Sequence, residues 1–325
     1  MNRRRFVLAP AAAAVLPAWP TRAQIRPFPS QPVRIVVPTP PGGAFDTLAR
    51  QLADRLAPLL GQSVVVENRA GSGTLLGTDA AAKAIPDGHT LLLGALSNIA
   101  LNPGLYPRLP YQPLRDFKPI GLAVSYSYTL IARKNLRQRS LVEVVREARE
   151  RPDTLTYASA GNGSGQHVAA ALLFGQAQVK LVHVPYRGVQ AAYQDLLGDR
   201  VDLLFDISPV ARAHVDAGSV TALAVSSRER QPFHPQTPSV RETGVAPLEM
   251  ESWFGLFAPS GVPAAALERL RNAFGQVMGQ ADLAQRIETL GGRVLRMSTA
   301  QTETFVKEEV AKWTQLVRDA HITAD

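Results

Sequence analysis

The chain has 325 residues, with 35 Lys plus Arg against 27 Asp plus Glu for a formal net charge of +8, and no cysteine. The missing thiols exclude a disulfide framework, thiolate zinc sites, iron–sulfur clusters, a cysteine nucleophile and a lipidated cysteine. A hydrophobic share of 46% with 19% charged residues excludes wholesale disorder, and the length allows one large domain or two modest ones.

Residues 1–23 read as an export signal. Arg3, Arg4 and Arg5 form a charged start, 6–16 is an Ala-rich apolar run, and Thr21-Arg22-Ala23 is a small-x-small site that places cleavage before Gln24. Residues 2–7 also resemble a twin-arginine signal. The apolar run is too short to span about 30 Å of hydrocarbon, and Pro10 and Pro17 interrupt it. Losing 1–23 removes Arg3, Arg4, Arg5 and Arg22 and no acid. That leaves 31 basic against 27 acidic residues, or +4 over 302. The remaining charge is scattered apart from the short run 133–139, which reads as a solvated loop. No nucleic-acid partner is expected.

From residue 33 onward, short apolar strands alternate with helical patterns. A strand at 33–37 precedes the turn 38–43 and a helix over 46–60, where Leu48, Leu52, Leu56 and Leu59 keep helical spacing. A strand at 64–67, a Gly-rich loop at 70–74, a helix over 78–84 and a strand at 89–94 follow. The middle of the chain repeats the style. A strand at 128–132 precedes a Ser140/Glu143 capping box that opens a helix to 150. Then come a strand at 154–158, the loop 161–165, a helix over 166–174, a strand at 181–184, a helix over 190–197, and strands at 201–205 and 222–225. After Pro-rich loops, a strand at 254–258 precedes a helix from Pro263 to 278, and Ser298 caps a last helix over 299–318. Alternating strands and helices predict an α/β fold with mostly parallel sheet. Their number suits two lobes, with chain crossings near 122–124 and 224–226. The expected division is lobe 1 from 24–123 and 225–325, and lobe 2 from 124–224.

Three βα turns, 38–46, 70–77 and 159–167, combine glycine with small polar residues. Each places unsatisfied N–H groups at a helix start, where the helix dipole also favours an anion, although glycine in such a turn also serves tight geometry alone. Asp46 suits a helix cap or a ligand contact. His167 suits a ligand contact or packing, and His183 reads as structural. Arg187, after a strand end, suits a carboxylate partner or solvent. Enzyme motifs fail: there is no phosphate-binding Gly-x-x-x-x-Gly-Lys, no His-Glu-x-x-His, and the Ser72 and Ser164 loops lack the first glycine of Gly-x-Ser-x-Gly. No metal-ligand spacing and no cofactor motif is present.

The ordered set 41–50 (PGGAFDTLAR), 66–73 (VENRAGSG), 86–92 (PDGHTLL), 116–120 (DFKPI), 157–167 (YASAGNGSGQH), 183–188 (HVPYRG) and 253–259 (WFGLFAP) resembles the Bug-type extracytoplasmic solute receptors of tripartite tricarboxylate transporters. The resemblance spans about residues 30–320. It implies a two-lobed, Venus-flytrap, type II-like periplasmic-binding-protein fold. It also implies a monomeric periplasmic receptor that holds a small carboxylate between its lobes and delivers it to a two-component membrane permease, or serves sensing. By motif match the ligand-binding residues would be Thr39, Gly42, Gly43, Asp46, Ser97 and Asn98 from the first lobe. Ser159, Gly161, Gly163, Ser164, His167, Tyr186 and Asp206 would come from the second, with Phe45 at a variable position of its motif. Two stretches depart from the pattern: Leu75-Leu76, and the aromatic, hydroxyl-rich 125–128 at the crossing. The rival expectation is an exported α/β hydrolase or lyase that uses Ser164 with His167, or Asp46 as base.

Overall fold

The computed structural model describes residues 27–324, so the expected export signal 1–23 lies outside the described residues. The first βα units are β1 (Val33–Val37), α1 (Ala44–Leu60), β2 (Val64–Asn68), α2 (Leu75–Ala82) and β3 (Thr90–Ala95). In α1 the residues Leu48, Leu52, Leu56 and Leu60 fall on one buried face, because the i, i+4 spacing stacks them along one side of the helix. A π-helical turn (Leu96–Leu101) and the short helices α3 (Asn102–Leu105) and α4 (Pro113–Asp116) lead into β4 (Phe117–Arg133). The middle of the chain forms α5 (Leu141–Glu150), β5 (Thr156–Ser159), α6 (Gly165–Gln176), β6 (Val182–Pro185), α7 (Val189–Leu197), β7 (Leu203–Ile207), α8 (Ser208–Asp216) and β8 (Val220–Val225). The last part holds β9 (Glu251–Pro259), α9 (Ala264–Met278), α10 (Ala281–Thr289), β10 (Gly292–Val294) and α11 (Thr299–Asp319).

The strands form one continuous path, β2-β1-β3-β9-β4-β7-β5-β6, with β10 and β8 also paired to β4. Each lobe has a parallel trio built from βα units: β2-β1-β3 in one, β6-β5-β7 in the other. The antiparallel ladders belong to the strands that join the lobes. β4 pairs with β9 from Phe117 to Ser127, and with β7 and β8 from Tyr128 onward. Instead of the short strand expected at 128–132, β4 runs for 17 residues. It is nearly all buried and so lacks the alternation that marks a half-exposed strand.

Ser226 ties the crossings together. Its N–H donates to the Tyr128 carbonyl, and its hydroxyl accepts from the Tyr128 N–H and donates to the Met250 carbonyl. Elsewhere the expected Ser140 capping box is half formed. Ser140 accepts from the Glu143 N–H, while the Glu143 carboxylate takes the N–H of Arg139, one residue earlier than a box requires. Arg133 is not solvated as expected but pairs with Asp202 and Asp199. In the first lobe the largest buried side chains are Trp253 and Trp313. Both indole N–H groups donate to Glu309 Oε2 at 2.9 Å, which satisfies two buried donors with one carboxylate and joins α11 to β9.

Candidate functional site

Four βα turns meet at one cavity of about 550 Å³ between the lobes. They follow β1 and β2 in one lobe and β5 and β6 in the other, as expected where parallel strands end at their carboxyl edges. α1 has Gly43 at its N-cap, α2 has Thr74 and α7 has Gly188, and none of these helices has a side chain capping its first turn. α6 is capped by Ser164, whose hydroxyl accepts only the His167 N–H. The first N–H groups of an α-helix have no intrahelical acceptor. The cavity is therefore lined by helix starts from both lobes: Gly43 to Phe45, Gly73 and Thr74, Ser164 to Gln166, and Gly188 to Gln190.

The floor comes from the joining strands: Tyr128 of β4, and Ser252 and Phe254 of β9. The Tyr128 hydroxyl comes so close to Gly165 that a Cβ there would lie 1.9 Å from it, so only glycine lets α6 start against this floor. Phe45 meets Phe254 edge to face at 5.1 Å and 83°, forming an apolar wall. The lobes touch across the opening. Gln190 Nε2 donates to the Gly42 carbonyl at 3.0 Å, and Gly73, at φ 58, packs on the Asn162 carbonyl.

The cavity is lined by one acidic and one basic side chain, Asp206 and Arg187. Asp206 is 1% exposed. Its Oδ1 accepts from Gln166 Nε2 at 3.1 Å, and its Oδ2 makes no hydrogen bond of good geometry, with the Tyr193 hydroxyl nearby. Burial pushes this carboxyl up to about 6, against the opposing pull of the Gln166 hydrogen bond. Thr39 Oγ1, in the opposite lobe, is also buried with no partner. Arg187 is exposed at the rim and has no acidic partner among the described residues.

Of the residues expected from sequence, Thr39, Gly43, Phe45, Ser97, Gly161, Ser164, Tyr186 and Asp206 line this cavity, although the Tyr186 hydroxyl is committed to Asp195 at 2.8 Å. The other six do not line it: Gly42 is exposed where the lobes touch, and Asp46, Asn98, Ser159, Gly163 and His167 are tied up in the loops around it. Asp46, 5% exposed, accepts from the Gly42 N–H and from Arg50 Nε and Nη2. Burial alone would raise its pKa, but these bonds outweigh it and hold the carboxyl below the usual carboxylate range. Asp46 thus fastens the 42–46 turn, and Gly42 turns that loop at φ 86. Asn98 accepts from the Ala95 N–H and donates to Thr78. Ser159 bonds His183 Nε2 at 2.7 Å, and Gly163 donates its N–H to His167 Nδ1 at 3.3 Å.

That last contact bears on the hydrolase expectation. His167 presents its backbone N–H, not its ring, to Ser164 Oγ, and its Nδ1 faces Gly163, so the pair lacks a nucleophile–base geometry. Among the described residues no group of three His, Asp or Glu side chains is arranged to hold a metal, and no helix is long and apolar enough to cross a membrane. Sequence reasoning missed Ser72, Thr74, Gln166, Gly188 and Gln190, although the Gly-rich loops gave a signal for the first three. It also missed Tyr128, Ser252 and Phe254, whose strands carry no local sign of the cavity.

A two-lobed α/β fold with one cleft lined by helix starts from both lobes defines the periplasmic-binding type of receptor. The model of the family described as "Tripartite tricarboxylate transporter family receptor" matches residues 48–322, and the chain belongs to that family. A relative from Pseudomonas sp. (strain P51), "UPF0065 protein in tcbD-tcbE intergenic region", is 39% identical over 323 residues, covering 99% of this chain and 96% of its own. The structure of periplasmic binding protein BugD superposes with a TM-score of 0.86 at 34% identity, over 91% of this chain and 99% of its own. MatC from Rhodopseudomonas palustris with bound malate gives 0.85 at 34% identity, over 89% and 100%. These comparisons make the chain a solute-binding receptor of the tripartite tricarboxylate transporter, Bug-type group.

Proposed function

We propose that the chain is an exported periplasmic receptor that captures a small carboxylate between its lobes and releases it chemically unchanged to a two-component membrane permease. The lobes are 24–123 with 225–325, and 124–224. The working form is a monomer freed of its export signal, residues 1–23. The observation that carries this reading is the convergence of four uncapped or part-capped helix starts, two from each lobe, on one cavity. Backbone N–H groups at helix starts favour negative charge, and because they come from both lobes an anion between them favours the closed arrangement. Thr39, Gly43, Phe45 and Ser97 face the ligand from one side, and Gly161, Ser164, Tyr186 and Asp206 from the other. Gly42, Asp46, Asn98, Ser159, Gly163 and His167 hold those loops in shape. Malate in the related MatC supports a carboxylate as the class of ligand.

The test is a thermal-shift screen of residues 24–325 with mono- and dicarboxylates, amino acids and aromatic acids, followed by mass spectrometry of the incubated compounds. The expected result is stabilisation by carboxylates with every compound recovered intact. Conversion of a compound that Ser164→Ala abolishes would sink the receptor reading in favour of the hydrolase.

A further inference from the structure

The cleft, at about 550 Å³, lies within the roughly 300–1,000 Å³ that encloses drug-sized ligands. Most of the surface that lines it is apolar. Phe45 and Phe254 form the edge-to-face wall, Tyr128 lies on the floor, and Ile207 and Val210 come from the other lobe. Rings placed in this way offer both faces and edges to a second ring or a branched chain.

The polar side chains of the lining are largely committed to the chain itself. Gln166 donates to Asp206, and the same carboxylate is met by the Tyr193 hydroxyl and the Ile207 N–H. The Tyr128 hydroxyl bonds the Ser252 side chain. Thr74 Oγ1 accepts from Asn102 Nδ2 at 3.2 Å, Gln190 donates to the Gly42 carbonyl, and the Tyr186 hydroxyl donates to Asp195. The lining has one basic side chain, Arg187, exposed at the rim and without an acidic partner among the described residues. Gly188 packs on Pro40, which sets Arg187 beside the 38–42 turn and the uncapped start of α1. A guanidinium and a helix start both suit a carboxylate. Deeper in the cleft no cation faces the space, and a second carboxylate there would lose water without gaining a charged partner.

We propose that the occupant of this cleft is a monocarboxylate with a bulky apolar body, aromatic or branched: its carboxylate meets Arg187 and the start of α1, and its body lies against Phe45, Phe254 and Val210. This rests on the carboxylate-receptor reading and assigns it a ligand class and an orientation. The apolar body gains by leaving water, whereas a diacid of the same shape gives up hydration that this wall does not replace.

The experiment uses matched pairs at pH 7.5 on residues 24–325, with dissociation constants from isothermal titration calorimetry. 6-Methylheptanoate is set against adipate, and 4-isopropylbenzoate against terephthalate. Each pair keeps its shape and exchanges one carboxylate for an isopropyl group. The isopropyl acid is expected to bind at least tenfold tighter than its diacid, and tighter than malate. Phe45→Ala, which removes half of the aromatic wall, is expected to weaken the isopropyl acids at least fivefold and the diacids twofold or less. A diacid that binds as tightly as its isopropyl partner, or malate that binds tighter than both isopropyl acids, overturns the inference while the receptor reading stands. Equal losses for both members of a pair in Phe45→Ala overturn it as well, and the wild-type comparison decides the matter if that variant does not fold. Failure of every carboxylate in the wider screen to bind removes the receptor reading, and the inference with it.

Discussion

His167 stacks on His183 with ring centroids 4.2 Å apart, and His183 stacks on Tyr157 at 4.8 Å. Burial lowers both histidines to about 4, with the neighbouring His167 adding to the effect on His183. The unfolded chain titrates its histidines near 6.5. Between about 6.5 and 4 it therefore binds protons that the folded chain refuses, so the stability these residues contribute is present above 6.5 and is lost as the pH falls toward 4. Asp206 acts with the opposite sign. Raised to about 6, it takes a proton in the folded state first, so it adds stability as the pH falls from about 6 toward the unfolded value near 3.9. Two histidines against one acid leave a net loss. The melting temperature should be lower at pH 5 than at pH 7.5, and His183→Phe, which keeps the stacking without the titration, should narrow the gap. An unchanged gap in that variant would place the acid sensitivity elsewhere. The same pair shows what side-chain identity leaves open. A histidine beside a Ser-rich loop suits catalysis, ligand binding or packing, and only the ring contacts decide for packing here.

The elements that build the cleft are ordinary βα units, and the elements that hinge it are not. β4 serves both lobes as one strand, and Ser226 fastens it to the return crossing through Tyr128 and Met250. Both backbone partners of its hydroxyl lie in buried residues, so removing that hydroxyl leaves a donor and an acceptor unpaired. Such a loss typically costs about 1–3 kcal/mol. Ser226→Ala should lower the melting temperature by several degrees in a calorimetric scan. A melting temperature within one degree of the wild type would mean that water replaces the hydroxyl and that the crossing does not depend on Ser226. Local pattern places most of the helices and the parallel strands within a few residues. It misses the short helices α3 and α4, α8, α10, β10 and the length of β4. α8 opens with Ser208-Pro209 directly after a strand, so no turn residues announce it. β10 has three residues and exists because β4 offers it an edge.

At the scale of the molecule, the lobes are in contact at Gly42 with Gln190 and at Gly73 with Asn162. A Cβ on Gly73 would lie 2.4 Å from the Asn162 carbonyl oxygen and 2.6 Å from the Tyr106 hydroxyl, at a φ of 58 that side chains rarely adopt. Gly73→Ala should therefore oppose closure more than folding. The expected outcome is at least a tenfold loss of affinity for the best carboxylate of the screen, with a far-UV circular dichroism spectrum like that of the wild type. Full affinity in this variant would show that binding does not require the lobes to meet at this point.

Local pattern was enough to establish the α/β character, the glycine loops at helix starts and, through an ordered set of motifs, the resemblance to the receptor family. These are short-range properties: strand and helix periodicity, turn chemistry, and motifs of five to eleven residues. Which of the loop residues face the cleft was decided by tertiary structure. Asp46 and Ser97 stand in equally suggestive contexts, yet Arg50 and Gly42 draw Asp46 behind the wall while Ser97 stays on it. Tyr128, Ser252 and Phe254 reach the floor because β4 and β9 pair across more than a hundred residues of chain, a distance over which no local pattern carries information. The one acid on the cleft lining, Asp206, is likewise held by residues that only the fold brings to it: Gln166 from α6 and Tyr193 from α7, because whether a buried polar atom finds a partner depends on every element packed around it.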